Sequence, residues 1–138
     1  MGAGDQGCGA IRGLSASLNP SGPPLAALLF DSITEAVGCS AGRIVVSGWH
    51  GGASSGRFAL QAAPRLAVFS DAGVGKDQAG IAALAMLQAA CIAACTVAHT
   101  SARIGDARST LDEGVISHVN AAAAAMGLRV GARLREAL

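Results

Sequence analysis

Short apolar runs alternate with helical patterns along the chain, and this alternation most limits the folds that the chain can adopt. The runs at 43–47, 66–70 and 92–98 are rich in apolar residues, and each is predicted to be a strand. Apolar residues fall at helical spacing in 54–63 and 78–90, which predicts a helix after each of the first two strands. Strands that alternate with helices are typical of βαβ units around a parallel sheet.

The predicted architecture is therefore a small three-layer α/β sandwich, similar to the flavodoxin and Rossmann folds, with a mainly parallel sheet of three to four strands. The segment 1–24 is rich in Gly, Ser and Pro and lacks apolar periodicity, so we expect a flexible N-terminal arm before a single domain at 25–138. Residues 25–37 are predicted to be a helix. The alternative is a strand at 26–30 that ends at Asp31 and Ser32, because a short apolar run fits both patterns.

Near the C-terminus, an apolar stripe predicts a long helix from Leu111 to Met126, stopped by Gly127. Ser109 or Thr110 is predicted to cap this helix, and a short helix is expected to start at Ala132.

The composition limits the partners of the chain. Apolar residues make up 51% and charged residues 14%, which leaves little charge to cover a monomer and predicts a homo-oligomer. A net charge of +1 and the absence of Tyr argue against nucleic-acid binding. The apolar stretch 80–98 is dominated by alanine, which favours a buried helix and strand over a membrane span. We expect a reduced, cytoplasmic protein with no bound metal or cofactor.

Polar side chains follow the predicted strands, where the carboxyl ends of parallel strands meet at one edge of the sheet. Ligands of open α/β sheets bind along this edge. We therefore predict that the loops after Ser47, Ser70 and Ala98 form one site. The candidate catalytic residues are His50, Asp71, His99 and Asp106. The candidate ligand-binding residues are Gly51, Gly52, Ser54, Gly73, Gly75, Lys76 and Arg103.

The second loop contains Lys76, the single lysine of the chain. Its sequence, Ser70-Asp-Ala-Gly-Val-Gly-Lys-Asp77, resembles the P-loop that binds phosphate. Ser70 replaces the first glycine of that motif, and Asp77 replaces the Ser or Thr that holds magnesium. The glycine amides are expected to bind a smaller anion, with Lys76 as its counter-charge. Alternatively, Lys76 pairs with Asp71 or Asp77 on the surface.

The first loop has two hydrolase-like patterns. Gly48-Trp-His-Gly-Gly52 resembles the nucleophile elbow of α/β-hydrolases, with His50 at the position of the nucleophile. Gly52-Ala-Ser-Ser-Gly56 fits the G-x-S-x-G pattern and places Ser54 at its centre. The resemblance is confined to this turn. The physical expectation is that His50 moves protons and that Gly51 and Gly52 approach a ligand closely.

The third loop offers His99 as a second imidazole, Arg103 as an anion clamp, and Asp106 as a base or an orienting carboxylate. Alternatively, Arg103 and Asp106 form an internal pair that holds the loop rigid. His118 is expected to pack beside the stripe of the long helix. Together these features predict a small enzyme that uses acid-base or hydrolytic chemistry on a carboxylate or phosphate metabolite. The alternative is a non-catalytic ligand-binding or assembly subunit that uses the same edge.

Overall fold

The computed structural model describes residues 27–138, which form a five-stranded sheet with helices on both faces. The strands lie in chain order: β1 (Ala27–Phe30), β2 (Ile44–His50), β3 (Leu66–Ser70), β4 (Ala93–Val97) and β5 (Ile116–Val119). The first four strands are parallel, and β5 pairs antiparallel with β4. The predicted α/β class and mainly parallel sheet are confirmed, with five strands in place of three to four. The predicted arm at 1–24 lies outside the described residues.

Five α-helices and two 3₁₀ segments connect the described strands. The helices are α1 (Ala53–Ala62), α2 (Ala82–Ala89), α3 (Ala107–Glu113), α4 (Ala121–Ala125) and α5 (Leu134–Ala137), and the 3₁₀ segments are Ile33–Ala36 and Lys76–Ile81. Residues of α1 and α2 pack on one face of the sheet against Val45, Ala67 and Phe69. Residues of α3, α4 and α5 pack on the other face against Val46 and Val68. We call these the α2 face and the α3 face.

Strands β3 and β4 are covered on both sides, and every residue of each is buried. Strands buried on both faces are continuous apolar runs, which explains why these two were predictable from the sequence. The predicted helix at 54–63 is also confirmed as α1. The predicted helix at 78–90 is divided, since its first residues belong to the 3₁₀ segment and α2 begins at Ala82.

The predicted helix at 25–37 is wrong, and the alternative strand is confirmed. Ala27–Phe30 pairs with Ile44–Ser47 of β2, and the chain leaves the strand at Asp31. Leu29 packs on the α3 face and Phe30 on the α2 face, which is the alternation of a strand. Ser32 and Glu35 then form a capping box that begins the 3₁₀ segment.

The predicted helix from Leu111 to Met126 is also wrong. α3 ends at Glu113, and Gly114 takes an extended backbone conformation with φ −64° and ψ 139°. A side chain at Gly114 would collide with the Thr110 carbonyl and with Val97, so this position requires glycine. The chain instead forms β5 and then α4, which Asn120 caps by accepting from the Ala123 amide. His118 therefore lies on a strand beside β4. The cap of α3 is Asp106, so the predicted caps at Ser109 and Thr110 are wrong as well.

Two further findings concern the expectations about a membrane span and about the cysteines. None of the helices within residues 27–138 is long and apolar enough to cross a membrane. Cys39 and Cys95 are free thiols, whereas Cys91 is disulfide-bonded, which disagrees with the expectation of a fully reduced chain.

Candidate functional site

The candidate site lies between the carboxyl ends of β3 and β4, where two neighbouring loops leave the sheet in opposite directions. The loop after β3 leads to α2 on one face, and the loop after β4 leads to α3 on the other. Such a divergence opens a crevice at the strand ends, which is where open α/β sheets bind ligands. Asp71 is the first residue after β3, and His99 follows β4 by two residues.

Asp71 and His99 form the centre of this site. The Asp71 carboxylate is only 5% exposed, and its Oδ1 accepts from the amides of Gly73 at 2.8 Å and His99 at 3.0 Å. The same oxygen lies 3.2 Å from His99 Nδ1. Burial alone would raise the pKa of Asp71, but hydrogen bonds from Gly73, Ser117 and His99 outweigh it and lower the pKa below 3.8. The carboxylate is therefore charged at neutral pH.

The hydrogen bond to Asp71 fixes the tautomer of His99. A carboxylate only accepts hydrogen bonds, so His99 Nδ1 carries the proton and Nε2 keeps its lone pair. The side chain of His99 is 49% exposed and lines a cleft of about 560 Å³ beside α3, which we call the α3 cleft. Its other lining residues include Arg103 and Glu113. A base and a cation, both predicted from the sequence, thus meet in one cleft.

The contacts of Asp106 differ from those expected of a catalytic carboxylate. Its Oδ1 accepts from the Ser109 amide at 2.9 Å and caps α3. Its Oδ2 lies 3.7 Å from Arg103 Nη1 in an exposed ion pair. These contacts match the expected internal pair of Arg103 with Asp106.

His50 lies in a second cavity, of about 430 Å³, which we call the glycine cavity. Gly52, Gly75 and Gly80 line it together with Ala72 and Val74 of the loop after β3. The Gly52 amide donates to His50 Nδ1 at 3.0 Å, so neutral His50 carries its proton on Nε2. The tautomers of His50 and His99 are therefore opposite: His50 offers a donor, and His99 offers a base.

The glycine amides predicted to hold an anion already have acceptors within the protein. Gly51 donates to the Ser70 carbonyl, Gly52 to His50, Gly73 to Asp71 and Gly75 to the Gly73 carbonyl. These amides have no proton left for a ligand. Ser54 is exposed on α1, and the serine that lies beside His50 is the buried Ser55, whose Oγ is 3.5 Å from Nδ1.

The loop that carries Lys76 is strained. Ala72, Val74, Asp77 and Gln78 all have φ between +51° and +66°, a region that non-glycine residues rarely enter. Such strain is concentrated at functional sites in proteins. Lys76 itself is exposed, and within residues 27–138 it forms no ion pair with either Asp71 or Asp77.

Three polar residues that the sequence did not indicate also lie at this edge. Thr96 Oγ1 is 2.9 Å from Ser117 Oγ, and His118 Nδ1 is 3.1 Å from the same hydroxyl. The Ser117 hydroxyl also contributes to the lowered pKa of Asp71. Two adjacent polar residues, Ser117 and His118, could have indicated this cluster. They were assigned to the predicted helix from Leu111 to Met126, which the structure does not contain.

The charged and proton-carrying side chains that meet at this edge are imidazoles, carboxylates and a guanidinium. Comparison with protein-family models, curated proteins and solved structures finds no match. Burial raises the pKa of Cys95 to about 12, so this thiol stays protonated and unreactive at neutral pH. Within the described part of the chain, no three His, Cys, Asp or Glu side chains converge as metal ligands.

Proposed function

We propose that this protein is a small α/β enzyme that uses His99 as a general base on a small anionic metabolite bound in the α3 cleft. The observation that carries the proposal is the contact of 3.2 Å between His99 Nδ1 and the buried Asp71 carboxylate. A carboxylate that holds one imidazole nitrogen leaves the other as a base with a fixed orientation.

The reaction would begin with transfer of a proton from the substrate, or from a water that attacks it, to His99 Nε2. The ring then carries a positive charge, with one proton on each nitrogen. Asp71 stabilises this charge across the existing hydrogen bond, and its lowered pKa keeps the carboxylate ionised. The same proton leaves Nε2 for the product or the leaving group, so the enzyme returns to its initial state. This sequence fits both acid-base and hydrolytic chemistry.

Arg103 is the proposed anion-binding group of the α3 cleft. Its side chain is 78% exposed, and its pairing with Asp106 at 3.7 Å is exposed as well. Exposed ion pairs contribute little stability, so the guanidinium can turn to a ligand at low cost. A planar guanidinium binds carboxylates and phosphates through two parallel hydrogen bonds. Lys76 does not line this cleft, because its loop leads to the α2 face.

A thermal-shift screen tests the anion site. We expect some members of a panel of inorganic phosphate, phosphate esters and small carboxylates to raise the Tm of the wild-type protein. Arg103→Ala should lose at least half of that shift. Arg108→Ala is the matched control, because Arg108 is exposed on α3 but does not line the cleft. Equal protection of the wild type and Arg103→Ala would refute the anion site.

Catalysis is tested with a ligand from that screen. We expect His99→Gln to retain the ligand-induced Tm shift and to lose turnover, because Gln keeps the size of the side chain and removes the base. Turnover that survives in His99→Gln would exclude His99 as the base.

A second candidate function is an assembly subunit without turnover, which the surface beside the site favours. Trp49 is 44% exposed and Ile104 is 52% exposed. Their loops are joined by a hydrogen bond from the Gly105 amide to the Gly48 carbonyl. Large exposed apolar residues on two joined loops favour contact with another chain. We propose a second copy of this chain as that partner. The cytoplasmic location stays a prediction.

A further inference from the structure

Glu113 is a charged residue of the α3 cleft that the proposed reaction does not use. Its carboxylate is held in place by Ser109, a serine that is only 5% exposed. The Arg103 amide donates to Ser109 Oγ at 3.0 Å, and Ser109 Oγ donates to Glu113 Oε1 at 2.6 Å. One buried hydroxyl therefore joins the backbone of the proposed anion-binding residue to a carboxylate of the same cleft.

The Glu113 carboxylate has acceptor capacity that the protein does not use. A distance of 2.6 Å is typical of a charge-assisted hydrogen bond from a hydroxyl to an ionised carboxylate. A carboxylate can accept about four hydrogen bonds, and the Ser109 hydroxyl supplies one of them. No ion pair within residues 27–138 includes Glu113. The cleft thus contains a fixed negative charge without a cationic partner among these residues.

The position of Glu113 on its helix is unfavourable for a negative charge. Glu113 is exposed and is the last residue of α3. The carboxyl end of a helix carries a partial negative charge, which stabilises a cation there and disfavours a carboxylate. A cationic group of a ligand in the α3 cleft would remove this repulsion by pairing with Glu113.

We infer that the α3 cleft selects small anions that also carry a protonated amine, and that Glu113 binds the amine. The inference rests on the proposed function and names the substrate class of the same site. Arg103 holds the carboxylate or phosphate of the ligand, and Glu113 accepts a charge-assisted hydrogen bond from its ammonium group. An anion without the amine leaves Glu113 unpaired and adds a like charge to the cleft, which weakens its binding.

Two pairs of probes test the amine. β-Alanine and propionate share a carboxylate on the same short carbon chain, and phosphoethanolamine and ethyl phosphate share a phosphate. Only the first member of each pair has an amine. In thermal-shift titrations of the wild type at pH 7, we expect the amine-bearing member of at least one pair to bind about fivefold more tightly than its partner.

Glu113→Gln is the decisive variant, because glutamine keeps the length of the side chain and its Oε1 still accepts from Ser109. The variant should lose the preference for the amine and keep its protection by propionate or ethyl phosphate. Glu136→Gln is the matched control, since Glu136 is an exposed carboxylate that does not line the cleft. It should keep the wild-type preference. 3-Hydroxypropionate, which replaces the amine of β-alanine by a hydroxyl, should bind no more tightly than propionate.

The outcomes separate this inference from the proposed anion site. Equal affinity of the wild type for both members of each pair would overturn the inference and leave the anion site at Arg103 standing. So would protection by amine-free anions alone, or a preference that survives in Glu113→Gln. Binding of 3-hydroxypropionate as tight as that of β-alanine would assign Glu113 to a hydroxyl and overturn the ammonium. A Tm that none of these probes and no anion of the wider panel raises would overturn both proposals.

Discussion

A single buried carboxylate organises the site at the scale of residues, and its ionisation should be visible in the stability of the protein. Hydrogen bonds that favour the charged form of Asp71 are lost on unfolding, so its pKa is lower in the folded state than the ordinary value of 3.8. The stabilisation is fully present above the unfolded pKa, and it is lost as the pH falls through the folded pKa.

We therefore predict that Asp71→Asn is less stable than the wild type by a constant amount between pH 7 and pH 5. The difference should shrink below about pH 4, because Asp71 then becomes protonated in the unfolded chain before it does in the folded state, whose pKa is lower. Urea denaturation at pH 7, 5, 4 and 3 measures it. Asp77→Asn is the control, because Asp77 is an exposed carboxylate on the same loop. A difference that persists undiminished below the folded pKa would show that the charge of Asp71 contributes nothing.

At the scale of elements, the Asn120 side chain organises the fold, because its hydrogen bonds connect three elements. Its Oδ1 accepts from the amides of Ala94 in β4 at 3.0 Å and Ala123 in α4 at 2.9 Å. Its Nδ2 donates to the carbonyls of Leu84 in α2 at 3.2 Å and Ile92 at 2.9 Å. All four hydrogen bonds of this buried amide are made, so β4, α2 and α4 are held in register around it.

We predict that Asn120→Ala lowers the free energy of unfolding by about 3 kcal/mol. The variant loses the cap of α4 and leaves the buried backbone groups that Asn120 bonds without partners. Asn120→Asp is the matched variant: it keeps the two acceptor bonds and places a carboxylate oxygen against two carbonyls. It should also be destabilised, while its helix cap is preserved. Chemical denaturation gives both values, and a loss below 1 kcal/mol in Asn120→Ala would contradict this role.

The strands that the sequence predicted most clearly are those buried on both sides. β3 and β4 are continuous apolar runs because both faces are covered, and α1 between β2 and β3 follows from its helical spacing. The errors fall on β1 and β5, the edges of the sheet. Ala27–Phe30 is too short to separate a strand from a helix by period, and the bulge at Ser117 removes the alternation from β5.

The geometry of the candidate site was predictable only in part. The ligand-edge rule correctly brought Asp71 and His99 together, since the sheet is mainly parallel there. The hydrogen bonds of the glycine amides within the protein were not predictable, because they depend on loop conformation. Ser117 and His118 were missed because their position follows from a strand that was taken for a helix.

At the scale of the whole molecule, charged residues make up only 14% of the chain. We predict that the chain self-associates through the surface that carries Trp49 and Ile104. Light scattering should give a mass above the 13.5 kDa of one chain, and the double variant Trp49→Gln with Ile104→Gln should restore the monomer. Val130→Gln is the control, because Val130 is 62% exposed and belongs to neither loop. A monomeric wild type would refute self-association, whereas an assembly that survives the double variant would move the interface elsewhere. Since Ile104 lines the α3 cleft, monomerisation with unchanged ligand protection would show that the site is complete within one chain.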